Sequence, residues 1–215
     1  GKTYLVGWSD GRIWWGTLAP SGSFSGWTEI PGGQRTHRDI AVASFTSDEC
    51  HPEASTGLIV VITGDDNRVW YNAMNMQGNW MGWTEVPGNI ITEYGPTLNI
   101  ATKGLYRHII LTVKQAGTGQ YIFNEPPIRE SLKDVPGGYL VPNWGSWNAL
   151  PSVPCFGTVP EGLPCIQEEV ALADFAGNPS YPDNYLKQYR FVTACLQPEG
   201  SYQKGRVYYL NGTTN

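Results

Sequence analysis

The chain has no basic run, no long apolar run and no paired-cysteine motif, and each absence removes a class of function. Lys and Arg number 14 against 19 Asp and Glu in 215 residues, a net charge of −5. Nucleic-acid binding needs clustered cations against phosphate, so no nucleic-acid partner is expected. The longest apolar stretch, Leu58–Ile62, is far shorter than the roughly 20 residues of a membrane-spanning helix, so no membrane insertion is expected. Cys50, Cys155, Cys165 and Cys195 form no CxxC pair, which argues against a zinc knuckle. His37, His51 and His108 show no ligand spacing, and no nucleophile elbow, phosphate loop or HExxH is present. The expectation is no metal, no cofactor, no catalytic residue and no enzymatic activity. Helical periodicity is missing as well. The best short helix candidate is Ile128–Lys133, after Pro126 and Pro127.

What is present is strand and turn chemistry. Nine Trp, twelve Tyr, 26 Gly and 16 Pro stand in a chain that is only 15% charged. Gly and Pro break helices, whereas Trp, Tyr, Val and Ile suit strands. Residues Gly11–Gly33 and Asn67–Asn89 align without a gap at an offset of 56, with 9 of 23 positions identical. The identities include Arg12/Arg68, Trp14/Trp70, Trp27/Trp83, Glu29/Glu85 and Pro31/Pro87. A weaker copy runs from Gln120–Phe123 to Gly145–Pro151, and a partial one is Arg206–Tyr209. A second element repeats independently: Asp39–Phe45 matches Glu169–Phe175 in the order acidic, β-branched, Ala, apolar, Ala, polar, Phe, and Thr97–Thr102 is a weaker version. Between these lie apolar strand candidates at Tyr4–Trp8, Leu58–Thr63, His108–Val113 and Tyr189–Leu196.

The repeating unit is therefore four strands: small-residue, apolar, aromatic, and Gly-Trp-Thr-Glu. Four short strands every 56 to 64 residues read as a β-propeller blade in an all-β chain. A β-sandwich accounts for short strands but not for a gapless repeat. One propeller domain over 1–215 is expected, in units of about 1–38, 39–96, 97–153 and 169–215. The first unit lacks the small-residue strand and the last lacks the Gly-Trp strand, so completion by a homo-oligomer is one expectation.

The stretch Ser9-Asp10-Gly11-Arg12-Ile13-Trp14 with Gly26-Trp27, and its copy Asp66–Trp70 with Gly82-Trp83, resembles the bacterial and fungal β-propeller lectins that bind fucose. The Ile40–Phe45 strand is similar to the inner strand of the Aleuria-type fungal lectins. The resemblance implies a propeller with shallow sugar sites between blades, and glycans or glycoproteins as partners. It departs from the Aleuria-type pattern in two places: an Arg precedes an apolar strand at best once, at Arg107, and no Glu follows Arg68-Val69-Trp70-Tyr71.

Sugar binding would rest on aromatic faces stacked against C–H patches and on polar groups that orient hydroxyls. Trp14, Trp15, Trp70 and Tyr71 are candidates because adjacent strand residues point to opposite faces. The competing reading is inter-blade core, since large aromatics dominate cores. Trp27 and Trp83 recur with Trp147 and are read as repeated wedges or repeated sites. Trp80 and Trp144 vary between copies, Phe24 standing in the first, and that favours a surface role. Arg12, Arg68, Glu29 and Glu85 offer donors and acceptors, or else simply pair with one another. Cys155 and Cys165 bracket a loop that could close as a disulfide, leaving Cys50 to Cys195, and Asn211-Gly212-Thr213 is a glycosylation sequon. Both features suit a secreted protein. A protein-interaction propeller with long loops at Asp48–Thr56 and Gly177–Lys187, and a glycosidase using Asp39 and Glu169, are the alternatives.

Overall fold

The computed structural model describes residues 3–45, 57–75, 77–103, 106–126, 132–150, 166–174, 187–196 and 206–214. The chain is all-β, and among the described residues there is no helix. It divides into two compact units, Gly1–Leu150 and Pro151–Asn215.

The larger unit holds three antiparallel sheets built in chain order. The first joins β1 (Thr3–Ser9), β2 (Arg12–Leu18) and β3 (Thr28–Glu29). The second joins β4 (Ala41–Phe45), β5 (Gly57–Thr63), β6 (Val69–Met74) and β7 (Thr84–Glu85). The third joins β8 (Thr97–Lys103), β9 (Tyr106–Lys114), β10 (Tyr121–Asn124) and β13 (Trp147–Ala149). A separate hairpin of β11 (Leu132–Val135) and β12 (Tyr139–Pro142) is inserted before β13. The smaller unit is a single sheet of β14 (Ile166–Asp174), β15 (Lys187–Leu196) and β16 (Arg206–Thr214). The small-residue, apolar and aromatic segments thus occupy the same ranks in the second, third and fourth sheets. Among the described residues the first sheet shows no strand of the first rank and the fourth none of the last, as their sequences imply.

The residues explain the hairpins. Asp10 and Gly11 take φ of 53° and 76°, and Asn67 takes 64°. Gly, Asn and Asp tolerate that left-handed region, so these turns close where other residues would strain. The register after the aromatic strand repeats three times. Ile30, Val86 and Leu150 each donate an amide N–H, at 2.8 Å, to Ile13, Val69 and Tyr121.

Core packing stacks the three sheets face to face. All seven residues of β5 are buried, as expected of a strand covered on both faces. Leu58, Val60 and Ile62 pack with Ile13 and Ile30 of the first sheet. Ile59 and Val61 pack with Ile109, Leu111, Val113 and Ile122 of the third. Each such side chain contributes about 1.5–3 kcal/mol by leaving water, so the second sheet is the keystone of this unit. Three successive layers are not a two-layer sandwich.

The expected helix does not form where the chain is described: Leu132 and Lys133 lie in β11, and 128–131 fall outside the described residues. The hairpin wins because Pro136-Gly137-Gly138 supplies a turn, with φ of 96° and 73° at the glycines, and Leu132, Leu140 and Val141 join the core shared by the second and third sheets.

Candidate functional site

The aromatic strands are equivalent in register as well as in sequence. Trp14 lies opposite Glu29 and Trp15 opposite Thr28, while Trp70 lies opposite Glu85 and Tyr71 opposite Thr84. In the second pair one aromatic turns back towards the preceding sheet and the next turns forward, and Trp15 of the first pair likewise turns forward to the second sheet. Trp70 packs into the core between the first and second sheets, and Tyr71 into the core between the second and third. Burial holds the Tyr71 phenol above its ordinary value, while the nearby Trp144 and Thr84 side chains act in the opposite direction.

Ring contacts repeat across the sheet junctions. Trp15 meets Trp80 edge-on at 5.7 Å, and Tyr71 meets Trp144 edge-on at 5.5 Å. Trp80 and Trp144, expected at the surface, therefore lie between sheets. Trp83 rests on Gly32 of the preceding sheet's loop, and Trp147 rests on Gly88. Trp147 also donates its indole N–H to the Pro87 carbonyl at 2.7 Å. These residues act as wedges that join one sheet to the one before it.

The first sheet carries the same set without a described sheet before it. Phe24 occupies the place of Trp80, as the matching bridges Leu18–Phe24 and Met74–Trp80 show. Phe24 and Trp27 touch each other edge-on at 5.2 Å and are 40% and 52% exposed. Trp14 faces the same open side. A cleft of about 390 Å³ opens there, lined by Gly7, Trp8, Ser9, Trp14 and Trp27. Gly7 lies opposite Trp14 in the register, and a Cβ on it would meet nothing within 4 Å. The missing side chain leaves this part of the cleft open.

Arg12 and Glu29 share this face by register, Arg12 two residues before Trp14 and Glu29 directly across from it. Their contact is loose, Arg12 Nη1 to Glu29 Oε2 at 3.6 Å. The equivalent Arg68 and Glu85 are closed, with Nη1 at 2.9 and 3.0 Å from the two carboxylate oxygens. The Arg–Glu pairing anticipated from the sequence is thus present twice, loose in the first copy and closed in the second.

Trp8, Gly7 and Ser9 were not among the sequence candidates. Trp8 ends an apolar strand immediately before the Ser9-Asp10-Gly11 turn, and a large aromatic at a strand end beside a tight turn has little to cover it. It is 44% exposed. Of the remaining candidates, Cys50, Cys155 and Cys165 lie outside the described residues, as do residues 48–56 and 177–186 of the two long loops. Cys195 is in β15, with backbone opposite Gln167 and Arg206. Asn211 is in β16, opposite Arg190.

The fold and this cleft define an all-β protein of successive antiparallel sheets with an open aromatic face. No family profile and no curated protein matches the chain. Five chains among solved structures do. One is a fucose lectin from Kordia zhangzhouensis in complex with methyl-fucoside, with a TM-score of 0.44 and 10% identity over 71% of this chain and 90% of that one. At that level the likeness bears on neither ligand nor site.

Proposed function

We propose that the chain is a carbohydrate-binding, non-catalytic protein of β-propeller architecture, and that the cleft on the first sheet is its sugar site. The observation that carries this reading is the exposure of Trp27, 52%, beside a cleft that Trp14 also lines, whereas its counterpart Trp83 is seated on Gly32 of the neighbouring sheet. Aromatic rings fixed by the fold yet open to solvent suit the apolar C–H face of a pyranose. Trp8, Trp14 and Trp27 line the cleft together with Gly7 and Ser9. The loosely paired Arg12 and Glu29 supply a donor and an acceptor for ring hydroxyls. Fucose is the first sugar to test. The repeated strand order of the four sheets supports the blade reading, with the ring completed by oligomerisation. Secretion, disulfides at Cys50, Cys155, Cys165 and Cys195, and glycosylation at Asn211 belong to the same proposal.

A monosaccharide has about 12 heavy atoms, and at about 0.3 kcal/mol per atom it would bind with a Kd on the order of millimolar. Useful affinity would come from multivalency. The test is titration with methyl fucoside, methyl galactoside and methyl mannoside, followed by tryptophan fluorescence and calorimetry. Millimolar saturation by one of them, abolished in Gly7→Val with thermal stability kept, is the expected result. Silence from all three, or unchanged binding in Gly7→Val, overturns it.

A second reading is favoured by one observation. The open face bearing Phe24 and Trp27 corresponds, position for position, to faces that elsewhere pack on a β-sheet. A protein partner offering a sheet or a Pro-Gly turn would fit there. Under that reading Trp27→Ala lowers affinity for a protein ligand and leaves sugar titrations flat.

A further inference from the structure

Trp8 belongs to the first sheet, but the group that fixes its ring is held from the second. Its indole meets the His37 imidazole edge-on, with ring centroids 5.6 Å apart and planes at 65°. His37 Nδ1 lies 2.9 Å from Asp65 Oδ1, and Asp65 sits in the turn between β5 and β6. The neighbouring Asp66 carboxylate faces elsewhere, accepting from the Arg68 amide at 3.0 Å and from Trp70 Nε1 at 3.2 Å. The imidazole also lies over Gly11, where a Cβ would come within 2.9 Å of His37 Cε1 and 3.2 Å of Arg35 Nε. Arg35 donates through Nη2 to the Asp10 carbonyl at 2.8 Å, and its own carbonyl accepts from the Asp65 amide at 3.1 Å. The loop segment Arg35–His37 therefore straddles two turns, Asp10–Gly11 of the first sheet and Gly64–Asn67 of the second.

We propose that His37, anchored by Asp65, is a positioning residue that holds Trp8 as a wall of the cleft, so that a turn of the second sheet sets the shape of a site on the first. The inference rests on the reading of that cleft as a binding site. An exposed His–Asp pair contributes little to stability, so its consequence is sought in side-chain order. A half-exposed indole at a strand end has rotamers to lose when a ligand stacks on it. The His37 edge removes that freedom beforehand, which is preorganisation. Arg35 and Asp65 bring charge to the surroundings of the imidazole, and the Asp65 carboxylate is in hydrogen-bond contact with it.

The test uses the full chain labelled with 5-fluorotryptophan, with the Trp8 fluorine signal assigned by Trp8→Phe. His37→Ala, Asp65→Ala, the double variant and Asp65→Asn are compared with the parent, and far-ultraviolet dichroism confirms that each is folded. The expected result is a shifted Trp8 signal in both single alanine variants. It is accompanied by about threefold to tenfold weaker binding of whichever of methyl fucoside, methyl galactoside or methyl mannoside the parent takes. The double variant is expected to match either single one, because the two residues act as one unit. Asp65→Asn, whose amide oxygen can still accept from the imidazole N–H, restores most of both. An unmoved Trp8 signal, additive losses, or a moved signal with unchanged affinity overturns the proposal. If the parent binds none of the three sugars, the reading of the cleft fails, while the Trp8 signal still decides whether His37 holds the ring.

Discussion

The indole of Trp147 sits directly on Gly88, so closely that a Cβ at that glycine would come within 2.5 Å of Trp147 Cδ1. Trp83 makes the same approach to Gly32, at 2.7 Å. Both glycines also carry left-handed φ, 116° and 108°. A Pro-Gly turn at the end of one sheet is thus the seat for a tryptophan of the next.

Alanine at Gly32 or Gly88 is therefore expected to destabilise the larger unit strongly. The backbone must leave its conformation and the indole must leave its seat, so a loss of about 2–4 kcal/mol is expected. Gly7→Ala is the control. Gly7 has ordinary strand geometry and open space above it, and its substitution is expected to change stability by less than about 1 kcal/mol, towards stabilisation. Urea melts of the three variants check this. Equal stability for Gly7→Ala and Gly88→Ala would mean that the wedge contact is not made in solution.

The equivalent tryptophans Trp27 and Trp83 should separate by position rather than by residue type. Trp83→Ala removes a ring seated on the first sheet and should cost about 3–5 kcal/mol. Trp27→Ala removes one that is half exposed and should cost about 1 kcal/mol or less. The comparison is made by chemical denaturation, with fluorescence reporting the loss of each indole. A Trp27 cost as large as that of Trp83 would mean that its face is covered in solution.

Much of this arrangement was legible in the sequence, and for a physical reason. Strand rank follows from side-chain chemistry: LIVVI over Leu58–Ile62 has to be covered on both faces, and Ser9-Asp10-Gly11 has to turn. The equivalence of Trp14 with Trp70 followed from spacing alone. What spacing does not encode is which copy has a neighbour. Trp27 and Trp83 stand in the same local sequence, yet one is exposed and the other seated, because burial of a repeat is decided by the adjacent repeat. The β11–β12 hairpin was hidden for a different reason. It interrupts the third copy, so alignment to the first two treated it as a gap, although Pro136-Gly137-Gly138 between two apolar stretches is a recognisable turn signal. Trp8 and His37 escaped because they meet across a junction between sheets, 29 residues apart in the chain.

The two Arg–Glu pairs should differ in coupling. Arg68 reaches both oxygens of Glu85 at 2.9 and 3.0 Å from part-buried positions, whereas Arg12 stands 3.6 Å from Glu29 in a more exposed setting. Double-mutant cycles with Arg→Met and Glu→Gln are expected to give about 0.5–1 kcal/mol for the Arg68–Glu85 pair and about 0–0.3 kcal/mol for Arg12–Glu29. The second value should fall further in 0.5 M salt, since exposed charges are screened. Coupling at Arg12–Glu29 equal to that at Arg68–Glu85 would argue against those side chains being free to meet a ligand.

Tyr71 offers a test by pH. Its phenol is raised above 10.0 because burial between the second and third sheets penalises the phenolate. The folded state therefore binds the proton more tightly than the unfolded chain. Stability from this group is complete below about pH 10, the unfolded value, and is lost as pH rises through the higher folded value. Tyr71→Phe removes the ionisable group and keeps the ring on which Trp144 packs. The difference in unfolding free energy between parent and variant should be flat from about pH 7 to 9.5 and then shift in favour of the variant above about pH 10. Urea melts at intervals of half a pH unit would measure it. A difference that stays constant to pH 11 would mean that the Tyr71 hydroxyl is not enclosed between the sheets.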